Sequence, residues 1–387
     1  MRKRLVESPS KHLGAPRTVT GMDAATNGNG IEAHKRHLRM YVVVAIGVSV
    51  GAIVLLSFLT MDRNTLKAVS RIDVYSFAVV ILLVVGKWVS ECVRFNLIIR
   101  GIGRRLPLWN TSKAVLGSAF TGSVTPYRTA TVPVQIFFLN RYGLTGGEAT
   151  AVASVGAALS VLLLTIAMPV VLVLSAARIH VSFGIRALLV MGASIGFLVF
   201  VVAVFSMRDP HRVTKLMDFF TPERYHQRPK YRRAVERLTD IMEDFSASLR
   251  RLLKGSRSRL VAIVLLTVFF WASEMFVASW LLRGLGYPQF FWKAFLAQVI
   301  VSSILPFTPV PGESGVAEGT FAAVFSIFMA KNVVAVTTMA WRFFMFYLPL
   351  VFLGIFFVLA SRDAARLREA EAVEETAVAP AAVVENY

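Results

Sequence analysis

The sequence holds a single cysteine, Cys92, so no disulfide can form within one chain, and cysteine usage does not report the redox compartment. Its six histidines (His12, His34, His37, His180, His211 and His226) all lie outside the apolar runs, which argues against a histidine-ligated metal or haem within a membrane. No phosphate-binding glycine loop of the P-loop type is present, so ATP-driven pumping has no support. Charge is scarce as well. Only 17% of the 387 residues are charged while 56% are hydrophobic, against roughly 25% and 45–50% in soluble domains. The surplus apolar surface calls for lipid.

That surplus is concentrated in six runs, each reaching the roughly 20 residues a helix needs to cross a hydrocarbon core: Met40–Thr60, Val74–Ile99, Gly147–Ser175, Gly184–Met207, Leu260–Leu282 and Asn332–Ala360. The polar stretch before Met40 and the lack of a small-residue cleavage pattern predict that the first run stays as a helix and is not a signal peptide. The net charge of +19 sits in segments that alternate with these runs, which a membrane explains without nucleic acid.

Residues 1–39 carry eight Lys or Arg against three acids and read as a disordered basic tail. The insert Arg208–Arg259 holds fourteen Lys or Arg and seven acids, with Val235, Leu238, Ile241 and Met242 at helical spacing. Arg362, Arg366 and Arg368 follow the last run. By the bias of basic residues toward the inside, the expected topology is multi-pass in the cell membrane with both termini cytoplasmic. The domain plan is a tail 1–39, a transmembrane domain 40–360 interrupted by the insert 208–259, and a cytoplasmic tail 361–387.

Two further apolar stretches, Lys113–Asn140 and Phe291–Ala330, are broken centrally by Pro, Gly and polar residues and read as re-entrant hairpins, against the competing reading of a Pro-kinked helix or surface loop. Sliding the chain by 183 residues places Trp88, Ser90 and Glu91 on Trp271, Ser273 and Glu274. The same shift puts Arg100, Gly101 and Gly103 on Arg283, Gly284 and Gly286, and Trp109, Ala114, Thr125 and Pro126 on Trp292, Ala297, Thr308 and Pro309. These ten identities fall within 39 positions, where typical composition gives roughly two or three. Three spans separate the start of one copy, about 74–178, from the start of the other, about 260–360, and an odd number reverses direction. The predicted fold is therefore an all-α integral membrane protein, six full spans plus two re-entrant hairpins arranged as an inverted repeat, with the hairpins meeting near the midplane.

The hairpins turn at Ser123–Thr129 and Pro306–Glu318. Broken backbone there needs partners from protein, water or substrate, and half-helix N-termini favour an anion. Arg128 is the most attractive phosphate ligand, because a guanidinium offers a planar fork of donors. Charges inside the runs are few and should face protein or water: Lys87, Glu91 and Arg94 on one helix face, then Glu274 and Arg342. Ion pairing that merely locks helices together is the plain alternative. Glu274 is expected to be the more weakly compensated acid, since Lys87 and Arg94 correspond to Phe270 and Val277 in its repeat.

At these residues the chain resembles the flippase-like transmembrane family typified by the membrane region of lysylphosphatidylglycerol synthases, over roughly Val74–Ala360. Thr125, Pro126 and Arg128 match a first motif of the Thr-Pro-x-Arg-x-Gly-Glu type, although Ala130 and Thr131 stand where Gly-Glu is usual. Pro309, Pro311, Gly312, Gly315 and Glu318 match a second motif of the Pro-x-Pro-Gly-Gly-x-Gly-x-x-Glu type, with Glu313 in place of a Gly. The resemblance implies movement of an anionic phospholipid or lipid-linked intermediate between leaflets, with those residues and Glu313 lining the path and no cofactor, metal or catalytic residue. With only a tail after Ala360, neither an aminoacyl-transfer nor a glycosyltransferase domain is expected. Two other readings remain open: a membrane-embedded transferase acting on a lipid-linked substrate with Glu313 or Glu318 as base, and a scaffold recruiting a lipid-modifying enzyme through Arg208–Arg259.

Overall fold

A computed structural model describes residues 73–178 and 247–378 together with residue 194; the side chains of the first stretch are described to residue 166 and those of the second to residue 370. The expected runs Met40–Thr60 and Gly184–Met207, the tail 1–39 and most of the insert Arg208–Arg259 fall outside the described residues. Within them the chain is helical, without strands. The helices are α1 (Val74–Gly101), α2 (Leu108–Ser123), α3 (Thr131–Arg141), α4 (Gly146–Arg178), α5 (Arg257–Gly284), α6 (Phe291–Ile304), α7 (Val316–Phe325), α8 (Lys331–Arg342) and α9 (Leu348–Val378).

α1 and α5 are the central pair, and their sequences explain their limits. The Asp73 carboxylate caps α1, accepting from the backbone N–H groups of Tyr75 and Ser76 and from the Ser76 hydroxyl at 2.6 Å. The Ser76 contact, foremost, holds the Asp73 carboxyl below its usual value. Both helices stop one residue before a short turn containing Gly103 at φ 92° or Gly286 at φ 90°, a left-handed conformation that favours glycine. Both are 28 residues long, about 42 Å at 1.5 Å per residue and ample for a crossing.

They run antiparallel. The N–H of Asp73, at the start of α1, donates to the carbonyl of Gly284 at the end of α5 at 2.9 Å, and Arg259 near the start of α5 reaches the carbonyl of Arg100 at 3.5 Å. Leu82, Val85 and Val89 on α1 and Val261, Leu265 and Val268 on α5 are exposed at three- and four-residue spacing, an apolar stripe on each helix suited to lipid. Among the described residues, five stretches are long and apolar enough to cross a membrane: Val74–Gly101, Gly146–Ile166, Arg257–Gly284, Pro288–Phe307 and Lys331–Ala370. Four coincide with expected spans. The fifth is the first arm of the second expected hairpin.

The apolar interior has two main centres. One gathers Phe95, Ile98, Ile99, Phe138, Leu139 and Val152 around the end of α1. The other gathers Leu281, Leu282, Ala297, Phe321, Phe325 and Trp341 around the end of α5, with the Phe321 ring stacked on Phe325 at 3.9 Å and on Trp341 at 4.6 Å. Of the described residues of the basic insert, 247–259, residues 247–254 and 257–259 are helical, and Leu249 and Leu252 are buried in the first centre.

Both expected hairpins are broken where the sequence places Pro and Gly. α2 gives way to a 3-10 turn at Pro126–Arg128 before α3, and α6 to 3-10 turns at Leu305–Phe307 and Pro311–Glu313 before α7. The element boundaries repeat as well: α1 and α5, then α2 and α6, begin 183 residues apart, whereas the turns Pro126–Arg128 and Pro311–Glu313, then α3 and α7, then α4 and α8, begin 185 apart. Two extra residues in the second tip account for the change. α8 continues through a π-turn at Phe343–Tyr347 into α9, which extends beyond the expected end at Ala360 to Val378.

α9 fixes α2, and therefore the first tip. Gly117 lies against the Phe357 backbone, where an added Cβ would come within 3.2 Å of Phe357 Cα; Phe120 stacks on Phe357 at 5.3 Å. At one end of this seam Lys113 pairs with Asp363, which also accepts from the Tyr142 hydroxyl at 3.2 Å; burial first, and Asp363 second, push the Tyr142 phenol up. Gly117→Val should therefore force α2 away from α9 and lower stability by about 1–3 kcal/mol, measured as thermal unfolding in detergent. An unchanged melting temperature would mean that this seam does not hold the tip.

Candidate functional site

Breaking a helix frees backbone groups, and in this chain they are answered by the opposite tip and by buried charge. The N–H of Tyr127 in the first tip donates to the carbonyl of Thr308 in the second at 3.2 Å. Beside it Arg128 Nε donates to Glu313 Oε1 at 2.8 Å. The two residues occupy equivalent places, since the turns containing them are offset by 185 residues. Their backbones agree too: Tyr127 and Arg128 have φ 53° and 54°, and Gly312 and Glu313 have φ 65° and 57°. Three of these four lack glycine's freedom, so both tips carry backbone strain of the kind that persists where the surroundings impose it.

A second pair braces the second tip from behind. Arg342, 2% exposed at the end of α8, places Nε 2.8 Å from Glu318 Oε1 and donates through Nη2 to the carbonyl of Gly312 at 2.6 Å. The other Glu318 oxygen accepts from the N–H of Gly315 at 2.7 Å, closing the first turn of α7. Glu318 is fully buried. Its matched carboxylate therefore fixes the tip and the start of α7, and the π-turn that follows Arg342 leaves Phe346 under the guanidinium at 4.0 Å.

The third pair joins α1 to α5: Lys87 Nζ lies 2.6 Å from Glu274 Oε2, and Glu274 Oε1 accepts from Ser302 Oγ at 3.3 Å, which in turn accepts from Gln298 at 3.1 Å. This corrects the expectation that Glu274 is weakly compensated. Lys87 was placed with Glu91 by its spacing on one helix, but it crosses to the neighbouring helix, over the Phe270 ring at 4.9 Å. Glu91 is left to Arg94, three residues on, at 2.7 Å. Arg94 is 1% exposed and also reaches the carbonyl of Gly156, Ser160 and Thr267 at 3.2–3.3 Å, tying α1 to α4 and α5.

The four expected charged positions Glu91, Glu274, Arg342 and Arg128 thus belong to four ion pairs, with four cations matched by four carboxylates. Glu274 also faces Arg128, and Glu313 also faces Arg342, within electrostatic reach. The remaining expected site residues are backbone formers. Thr125 Oγ1 donates to the Thr121 carbonyl at 2.9 Å, Pro126 and Pro311 open the two turns, Pro309 is exposed between them, and Gly312 and Gly315, the latter at φ 79°, supply left-handed conformations. Ser302 and Gln298 were not singled out, and Lys87 was read only as a charge on the helix face of Glu91. Helical spacing along one chain cannot reveal a partner on another helix.

Arg128 differs from every other charge here. Its side chain is 59% exposed, whereas those of the other seven paired residues are 15% exposed or less. Among the described residues the only hydrogen bond of its side chain is the one through Nε. Nη1 and Nη2 make no hydrogen bond among the described residues, which leaves that edge open to a ligand.

Several apolar helices, two broken tips held in contact and charges matched inside the bundle define an integral membrane protein. The family described as the lysylphosphatidylglycerol synthase TM region matches residues 42–352, and this chain belongs to it. It is similar to a UPF0104 membrane protein of Archaeoglobus fulgidus, 25% identical over 314 residues that cover 80% of this chain and 94% of the relative. It is also similar to a UPF0104 membrane protein of Pyrococcus horikoshii, 23% identical over 330 residues that cover 82% and 96%.

The Lys87–Glu274 pair yields a direct test. Lys87→Met strands a buried carboxylate and should cost about 3–5 kcal/mol. Lys87→Met combined with Glu274→Gln should recover most of that loss, because no charge is then left unpaired. Equal destabilisation of the single and double variants, measured by thermal unfolding in detergent, would assign the effect to packing of the lysine stem instead.

Proposed function

We propose that this protein moves a phosphate-bearing, anionic lipid or lipid-linked intermediate between leaflets without covalent chemistry, and that the headgroup binds Arg128 while its tails stay in the bilayer. The observation that carries this reading is the open edge of Arg128 at the meeting of two broken helices. In hydrocarbon such an edge needs a polar partner, and a planar fork of N–H donors suits a phosphate. The family's description, which names the synthase of a charged phospholipid, supports a lipid substrate. Glu313, Glu318, Gly312 and Gly315 shape the second tip in this reading, and Thr125, Pro126, Pro309 and Pro311 the turns.

The topology that accompanies this function is six crossings and two re-entrant hairpins in inverted copies. The antiparallel α1 and α5 support inversion. The arms α2, α3 and α7 have 16, 11 and 10 residues, about 24, 17 and 15 Å at 1.5 Å per residue, each short of a hydrocarbon core about 30 Å thick, whereas the first arm of the second hairpin, with its flanking 3-10 turns, runs over the 20 residues Pro288–Phe307. The tail 1–39, the insert 208–259 and the tail from 361 lie in the cytoplasm of a cell-membrane protein, the insert offering a site for a lipid-modifying enzyme. Single cysteines at Asn27, Gln227 and Tyr387 in a Cys92→Ser background should label from the cytoplasm, and those at Ser182 and Gln289 from outside. Labelling at Arg104 and Arg141 from opposite sides would make the first hairpin a full crossing and the copies parallel.

In proteoliposomes, Arg128→Gln should lower the initial rate of anionic lipid translocation by about tenfold or more, the loss of one charge-assisted contact, and the same loss should persist in Arg128→Gln combined with Glu313→Gln, which strands no carboxylate and should unfold near the wild-type temperature. Arg128→Lys should restore only part of the rate, because an ammonium cannot form the planar fork. If the double variant fails to fold, or if either variant translocates at the wild-type rate, Arg128 is a structural partner of Glu313 and not a headgroup ligand.

A further inference from the structure

The tips bring together three cations, Lys87, Arg128 and Arg342, and three carboxylates, Glu274, Glu313 and Glu318, each engaged by its neighbours. Before any ligand arrives their formal charges sum to zero. A site built only to attract an anion would be left positive. Here the one cation with an open edge has its charge offset by a carboxylate fixed against its other edge, and that carboxylate, Glu313, stands where the related motif has a glycine.

The geometry places the ligand and Glu313 side by side. Glu313 takes only Nε of Arg128, so an oxyanion can bind Nη1 and Nη2 without displacing it. It then lies within about 6 Å of the Glu313 carboxylate, given hydrogen bonds of about 2.8 Å on adjacent edges of one guanidinium. At an effective dielectric constant of about 20, repulsion between unit charges at that distance weakens binding by more than about tenfold. The orientation that Glu313 confers on the guanidinium is worth less than this, since a single neutral hydrogen bond would supply it. Glu313 cannot easily swing clear, because its backbone is held at φ 57° beside Gly312, whose carbonyl is bound by Arg342.

We propose that Glu313 is the specificity-determining residue that keeps headgroup binding at Arg128 weak, so that a bound phosphate leaves the tips on the far side instead of remaining there. This inference rests on Arg128 being the headgroup ligand. Transport requires binding that is strong enough to admit the ligand and weak enough to let it go, and a net-neutral cluster meets both demands where a lone guanidinium meets only the first.

The test uses the full chain and a fluorescent phosphatidic acid, whose headgroup is a phosphate alone. Binding is titrated in detergent, and translocation is measured in phosphatidylcholine proteoliposomes carrying a trace of the same probe. Glu313→Gln keeps an acceptor for Arg128 Nε while removing the charge, and should bind the probe about tenfold more tightly yet translocate it more slowly than wild type once the probe is saturating. Glu313→Gly is the second variant, because glycine favours φ 57° and the backbone is retained. It should also tighten binding. In the Arg128→Gln background the Glu313→Gln change should gain little, since the cation it offsets is gone. Unchanged or weaker binding in both Glu313 variants, with Arg128 still required for binding, overturns the role of Glu313 alone. Binding and translocation that ignore Arg128→Gln altogether overturn the headgroup site itself. Tighter binding together with translocation as fast as wild type or faster shows that release is not limited by this charge and also overturns the proposal.

Discussion

A helix broken within an apolar bundle leaves backbone groups without their helical partners, and much of this structure answers that constraint. The carbonyl of Gly312 is bound by Arg342, the N–H of Gly315 by Glu318, and the N–H of Tyr127 by the carbonyl of Thr308. Each of the first two solutions imports a charge, and a charge in hydrocarbon costs at least about 2.5–3.5 kcal/mol unless it is matched. Arg342 and Glu318 match one another. Backbone satisfaction and ion pairing are therefore one problem, and the α8 register, the π-turn and the stacking of Trp341 on Phe321 serve to deliver a guanidinium to one carbonyl.

The same logic sorts the buried cations by how fully they are engaged. Arg94 and Arg342 are buried, and each has several partners. Lys87 is enclosed between Glu274 and aromatic rings. These three hold helices to one another, as the plain reading of intramembrane ion pairs anticipates. Arg128 is paired through one nitrogen and otherwise exposed. Within a single network, the guanidinium groups thus differ in how far their donors are engaged.

Much of this was legible in the sequence, for physical reasons. Lipid demands long apolar runs, and the four that fall within the described residues are helices. Trp88 and Trp271, Gly103 and Gly286, and Trp109 and Trp292 revealed the 183-residue offset, which the limits of α1 and α5 reproduce to the residue. The offset does not hold beyond the Thr-Pro pair. Thr125-Pro126 aligns with Thr308-Pro309, so the shift carries Arg128 onto Pro311, whereas the fold sets Arg128 opposite Glu313, because two residues are added between the second Thr-Pro and its turn. The Lys87–Glu274 contact was hidden for another reason: periodicity shows which residues share a face of one helix but not which helix that face meets.

Equal lengths and antiparallel packing make α1 and α5 alike as rods, yet the side chains at matched positions are not alike. Lys87 stands where α5 has Phe270, Arg94 where it has Val277, and Arg128 where the second tip has Glu313. In a perfect inverted duplicate, any rearrangement that exchanges the roles of the two halves produces a state of the same free energy. Here the exchange would put a cation where an anion had been, so that degeneracy is lifted and the ground state of the protein carries a built-in polarity.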